Sequence, residues 1–127
     1  MLTTDQLYVL ALLRENLNGN AREERACGDA GTVEKIVLRN GILLTVYHGL
    51  PDELQERLGD RYLSAVKQAV LQGYEGGRVL QMLSDAGLSC IALKGWELRK
   101  LYPELTMRQM ADIDILARPY DFIKIKI

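Results

Sequence analysis

The hydrophobic period of this chain changes near Leu88. Up to that point apolar residues recur every three or four positions, as in helices that bury one stripe. Beyond it, apolar runs are short, bounded by glycine or alternating with charge, as in strands. The switch predicts an α+β protein: a helical N-terminal region, 1–87, leading into an α/β core with a small mixed sheet, 88–127. The 127 residues fit one ordinary domain, which buries a core without disulfides or structural metal.

Within the helical region, Thr3-Thr4-Asp5-Gln6 reads as a capping box, with Thr3 as N-cap and Gln6 at the third helical position. A first helix is expected over 4–16, with Leu7, Leu10, Leu13 and Leu17 as its stripe. Asn18-Gly19-Asn20 breaks it, and 21–31 reads as a loop. The run Arg22-Glu23-Glu24-Arg25 reads as solvated surface. Thr32 is the expected cap of a second helix, with Val33, Ile36, Val37, Leu44 and Tyr47 on its stripe and Gly49 at its end. Pro51 opens a short third helix that Gly59 stops. A long fourth helix carries Tyr62, Ala65, Val66, Ala69, Val70, Tyr74, Leu80 and Leu83, with both tyrosines expected in the core. Gly73, Gly76 and Gly77 fall on or beside that stripe, each at a cost in helix stability. Close approach of another element explains them; a kink is the alternative. Gly87 is the expected C-cap.

In the second region, 89–93 reads as a strand that ends at Lys94-Gly95. Residues 96–102 read as a short helix terminated by Pro103. Carboxylates and aliphatics alternate over 112–117, the signature of a second strand. Side chains at i and i+2 share a strand face, so Asp112 and Asp114 stand side by side. Like charges there repel, and a sheet gains no stability from them. A divalent cation reverses the repulsion, and Mg²⁺ is commonly held by one or two carboxylates together with substrate phosphates. A helix opening after Gly95 offers free N–H groups and a positive dipole end, which suits a phosphate. Together the two features point to chemistry on a nucleoside triphosphate. Each also has a plainer reading. The aspartates can be the solvent face of a half-buried strand, Lys94 a strand-end lysine, Gly95 a turn glycine, Arg108 a surface or ion-pair residue. Trp96 reads as packing. Past Pro119 a helix start and a strand over 123–127 compete, and the sequence leaves both open.

Bulk composition excludes several classes. Sixteen basic and seventeen acidic residues give a net charge of −1, so no basic field advertises nucleic-acid binding. The single histidine, His48, ends an apolar stripe and reads as structural, which removes Ser-His-Asp and Cys-His catalysis. Cys27 and Cys90 lie far apart in no metal-ligand spacing. They read as free thiols of a reducing cytosol, and the chain is expected to be cytoplasmic. The longest apolar stretch, 42–46, is too short to span a bilayer, and the N-terminus lacks the basic region of a signal peptide.

The elements Leu93-Lys94-Gly95, Tyr102-Pro103, Arg108 and Asp112-Ile113-Asp114-Ile115-Leu116 resemble the nucleotidyltransferases of the DNA polymerase beta superfamily. More narrowly they are similar to a bacterial group of uncharacterised nucleotidyltransferase-like proteins. The sharp match covers about 88–121, and the helical half matches in style. The resemblance implies metal-dependent transfer of a nucleoside monophosphate from an NTP to a hydroxyl acceptor. Asp112 and Asp114 would be the catalytic, metal-holding pair for Mg²⁺ or Mn²⁺. Gly95 would pass under the triphosphate, Lys94 would give the phosphates a point charge, and Arg108 would contact the nucleotide.

Two departures stand out. The superfamily carries Gly-Ser where this chain has Lys94-Gly95. It also uses a third carboxylate from a later strand, and after Asp114 this chain has only Asp121. The chain is therefore expected to be a truncated or incomplete core, weak in turnover and inclined to form a homo-oligomer through apolar strand residues. The competing expectation is a non-catalytic helical binding or oligomerisation module derived from that fold. The acceptor is expected to be a small molecule or a protein side chain before a nucleic acid.

Overall fold

The computed structural model describes residues 1–19 and 25–125. Arg22, Glu23 and Glu24 of the charge run, and Ile127, lie outside the described residues. Helix α1 (Thr4–Asn18) starts where the capping box puts it. Thr3 Oγ1 accepts the Gln6 N–H at 3.2 Å, and Gln6 Oε1 accepts the Thr3 N–H at 2.9 Å. Its buried face is Tyr8, Val9 and Leu12, whereas Leu7, Leu10 and Leu17 are exposed. The helix is apolar on two adjacent faces, and packing of the next two helices selects the tyrosine side.

Helix α2 (Ala30–Arg39) begins before Thr32, because Asp29 is the cap. The Asp29 carboxylate accepts the Thr32 N–H at 2.8 Å and the Thr32 hydroxyl at 2.6 Å. The expected single helix to Gly49 breaks at Asn40-Gly41, where Gly41 adopts φ 61°. Beyond the break come α3 (Leu43–Val46) and a 3₁₀ turn, Tyr47–Gly49. The change of direction buries Leu43, Leu44 and Val46 together, which one straight helix would not do.

Helix α4 (Asp52–Asp85) is continuous over 34 residues, so Gly59 does not stop it. Gly59 instead leaves room for Tyr47, whose hydroxyl donates to the Gln55 carbonyl at 2.9 Å. Tyr47 stacks on Tyr62 with ring centroids 3.9 Å apart, and His48 stands edge-on to both. Tyr74 and Val70 are exposed, not core. The covered face at that height belongs to Gly76, and two residues along a helix is a rotation of about 200°. Gly76 is buried against Trp96 and Ile113, whose side chains occupy the space a Cβ would need. Gly77 faces open space.

Strand β1 (Cys90–Ala92) pairs antiparallel with β2 (Ile115–Ala117), Ile91 opposite Leu116. Between them run α5 (Gly95–Leu98) and 3₁₀ turns at Arg99–Leu101 and Leu105–Met107. Pro119 opens a further 3₁₀ turn, and no described residue past Ala117 is in a strand. Two apolar cores result. One gathers Val33, Val37, Val46, Leu50 and Leu54 from the helical half; the other gathers Ala92, Trp96 and Met110 with Leu80 and Ile113. Helix α4 contributes to both. Cys27 and Cys90 are free thiols. No helix among the described residues is long and apolar enough to cross a membrane.

Candidate active site

The chain leaves β1 at Leu93, whose N–H donates to the Asp114 carbonyl at 2.8 Å. This bond extends the β1–β2 pairing by one residue, although β2 itself is shorter than the expected 112–117. Alternation nevertheless holds through that stretch. Ile113 packs into the second core, while Asp112 and Asp114, on either side of it, line an open cavity of about 240 Å³. Lys94, Gly95 and Arg108 line the same cavity. All five residues singled out from the sequence therefore meet at one place.

Lys94 has φ 47° and ψ −119°, and among the described residues it alone combines positive φ with a side chain. Such backbone is strained for an L-residue, and residues of this kind gather at functional sites. The conformation brings the ammonium to the aspartates: Lys94 Nζ lies 2.9 Å from Asp114 Oδ2. That hydrogen bond, then the charge of Asp114, raises the lysine above its ordinary value, with Asp112 adding a further attraction. Lys94 is thus the partner of Asp114 in this structure.

Gly95 follows, and a Cβ there would lie 3.2 Å from Met110 Cγ and 3.5 Å from Arg108 Nε. Glycine lets the turn press against both. Arg108 Nε is buried and has no hydrogen-bond partner among the described residues. A buried unpaired donor of a cation is costly, and an anionic oxygen would satisfy it. The helix that opens at Gly95 is a single turn continued by 3₁₀ geometry, shorter than the expected 96–102. Its dipole is correspondingly small, so the positive charge at the cavity comes from Lys94 and Arg108.

Two residues that sequence reasoning passed over hold the segment before the aspartates. Thr45 Oγ1 donates to the Met107 carbonyl at 2.9 Å, and Gln72 Nε2 donates to the Ala111 carbonyl at 3.2 Å. Both reach across from the helical half. Arg99 stacks over Trp96 at 3.6 Å, where burial lowers its pKa. Asp121 is buried and paired with Arg118 at 2.9 Å, and it does not line the cavity. No local signal in the sequence marks the Thr45 and Gln72 contacts, which join residues 62 and 39 positions apart.

A family model described as uncharacterised nucleotidyltransferase matches residues 9–126. No curated protein and no solved structure matches the chain. The matched span contains both apolar cores' helix α4 and every residue lining the cavity. The chain belongs to the uncharacterised nucleotidyltransferase family.

Proposed function

We propose that this protein transfers a nucleoside monophosphate from an NTP to a hydroxyl acceptor in a metal-dependent reaction. The observation that carries the reading is the meeting of Asp112, Asp114, Lys94, Gly95 and Arg108 in one cavity. In the reaction the acceptor hydroxyl gives up its proton to water, its oxygen bonds to the α-phosphorus, the bond from that phosphorus to the bridging oxygen breaks, and pyrophosphate leaves. Two carboxylates in an open cavity fit Mg²⁺ delivered with a nucleotide, which keeps waters and phosphate oxygens among its ligands. They do not fit a closed cage, and among the described residues no three Asp, Glu, His or Cys side chains gather to form one. Asp112 and Asp114 would hold the ion, which when bound supplies charge neutralisation at the phosphates.

The chain's own groups do the rest by position. Lys94 releases Asp114 and places its ammonium on the phosphates. Arg108 offers its unpaired Nε–H to a phosphate oxygen. Gly95 keeps the backbone close to both. Catalysis of this type rests on alignment and charge stabilisation. A net charge of −1 gives little of the phosphate-backbone attraction that nucleic-acid binders use, so a small molecule or protein hydroxyl is the preferred acceptor. The Lys94–Asp114 pair also favours a second reading, nucleotide binding without turnover, because a cation of the chain's own already neutralises one metal ligand.

Pyrophosphate release from each NTP with Mg²⁺ or Mn²⁺, in the presence of candidate acceptors, separates the readings. Transfer predicts release that falls by about 100-fold or more in Asp112→Asn and Asp114→Asn. Metal-dependent NTP binding with no release supports the second reading. Release unchanged in both variants removes these aspartates from the chemistry.

A further inference from the structure

The 240 Å³ cavity is too small for a whole nucleotide, since ligand sites usually run to about 300–1,000 Å³. A second cavity of about 450 Å³ adjoins it. The two share Arg108, Gln109, Met110 and Ala111, so both lie against this segment. Their linings differ in chemistry. The small cavity carries two carboxylates and a lysine. The larger one has no acid in its lining; its polar side chains include the amides of Gln68 and Gln109, the phenol of Tyr102 and the amide of Asn40, which already donates to the Ile36 carbonyl at 2.8 Å. Ile42, Met107 and Met110 add apolar surface to the same lining. Among the described residues no hydrogen bond occupies the amides of Gln68 and Gln109.

Side-chain amides over apolar, sulfur-bearing surface suit a flat, neutral heterocycle that both donates and accepts hydrogen bonds. A cationic acceptor would find no carboxylate there. We propose that the larger cavity binds the nucleobase and ribose of the NTP whose phosphates lie in the smaller one, with Gln68 of the long helix contacting the base. This rests on the nucleotide reading of the aspartate cavity. It makes the helical half part of the binding site: Asn40 ends α2, and Gln68 sits in the middle of α4.

The test compares two ligands by calorimetry with Mg²⁺ present: each NTP, and inorganic tripolyphosphate, which has the phosphates and no nucleoside. The wild-type protein is expected to bind at least one NTP about tenfold or more tighter than tripolyphosphate. Gln68 is exposed on a helix, so Gln68→Ala and Gln68→Trp are expected to keep the wild-type melting temperature. Gln68→Ala should weaken that NTP about threefold to tenfold, the worth of one hydrogen bond, and leave tripolyphosphate unchanged. Gln68→Trp, which fills the cavity, should weaken the NTP further and again spare tripolyphosphate. NTP and tripolyphosphate binding equally well in wild type overturns the proposal, and so do Gln68 variants that change neither ligand or both alike. In those cases the phosphate cavity still stands. Failure of both ligands to bind wild type removes the nucleotide reading itself, and this proposal with it.

Discussion

Lys94 occupies a backbone region that glycine takes without strain. A side chain held there costs of order 1–3 kcal/mol, whereas an ion pair open to solvent returns little. The balance predicts that Lys94→Gly melts at or above the wild-type temperature and that Lys94→Ala, which keeps the strain and loses the pair, melts below it. Both should weaken triphosphate binding about tenfold or more, as expected for losing a charged hydrogen-bond donor. A Lys94→Gly protein that melts below Lys94→Ala shows that this backbone is not strained. The pair also sets a sign for pH. A lysine raised by its partner contributes stability below the ordinary lysine value of about 10.4, lost only as pH rises through the raised folded value. The melting difference between wild type and Lys94→Met should therefore be flat from about pH 6 to pH 8, where both states hold the proton.

At the scale of elements, α4 carries two adjacent glycines with opposite duties. Gly76 faces Trp96 and Ile113 with no room for a methyl group, while Gly77 faces open space. Alanine is worth about 1 kcal/mol over glycine inside a helix. Gly77→Ala should gain roughly that amount. Gly76→Ala should lose about 1–3 kcal/mol despite the same propensity, because the indole and Ile113 must shift in a packed core. Chemical denaturation of the two variants side by side decides it, and equal effects would mean that the helix and Trp96 are not in contact. The cap of α2 gives a pH signature. The Thr32 hydroxyl and then the Thr32 N–H, both donated to Asp29, hold its carboxyl below its ordinary value. A depressed carboxylate contributes stability above the unfolded value, lost as pH falls through the folded one. The melting difference between wild type and Asp29→Ala should be constant above about pH 5 and shrink below about pH 4.

At the scale of the molecule, α4 ties the helical core to the core beneath the aspartates, and Thr45 and Gln72 tie the site segment back to the helices. Occupancy of the site should therefore register as global stability. An NTP with Mg²⁺ at 100 times its dissociation constant should add about 2.7 kcal/mol, provided it binds only the folded state. For a chain of this size that is a rise in melting temperature on the order of 10 °C. Asp112→Asn combined with Asp114→Asn should abolish the metal-dependent part. A double variant that keeps the full rise excludes these two residues as the ligands. Leu54→Ala, at a fully buried position of the helical core, should cost about 2–5 kcal/mol.

The residues of the candidate site, save Arg108, which only the family resemblance marked, were legible because their chemistry is local. Lys94-Gly95 and the alternation around Ile113 are short patterns whose meaning comes from strand periodicity and charge, and the cavity gathers them as those patterns imply. The Thr3–Gln6 cap and the change of period at Leu88 are local in the same sense. What the sequence left open depends on partners far along the chain. Which face of α1 is buried was decided by α2 and α3, since two apolar stripes compete there. Whether Gly59 or Gly41 breaks a helix was decided by Tyr47 finding Gln55 across the gap and by the need to bury Leu43, Leu44 and Val46 together. The pairing of Lys94 with Asp114 exists only once β1 and β2 meet, and the cavity that joins Asn40 and Gln68 to Arg108 exists only once the halves pack. Local periodicity fixes elements and the faces they offer; closure of long loops, with its entropy repaid by non-local contacts, fixes which offer is taken.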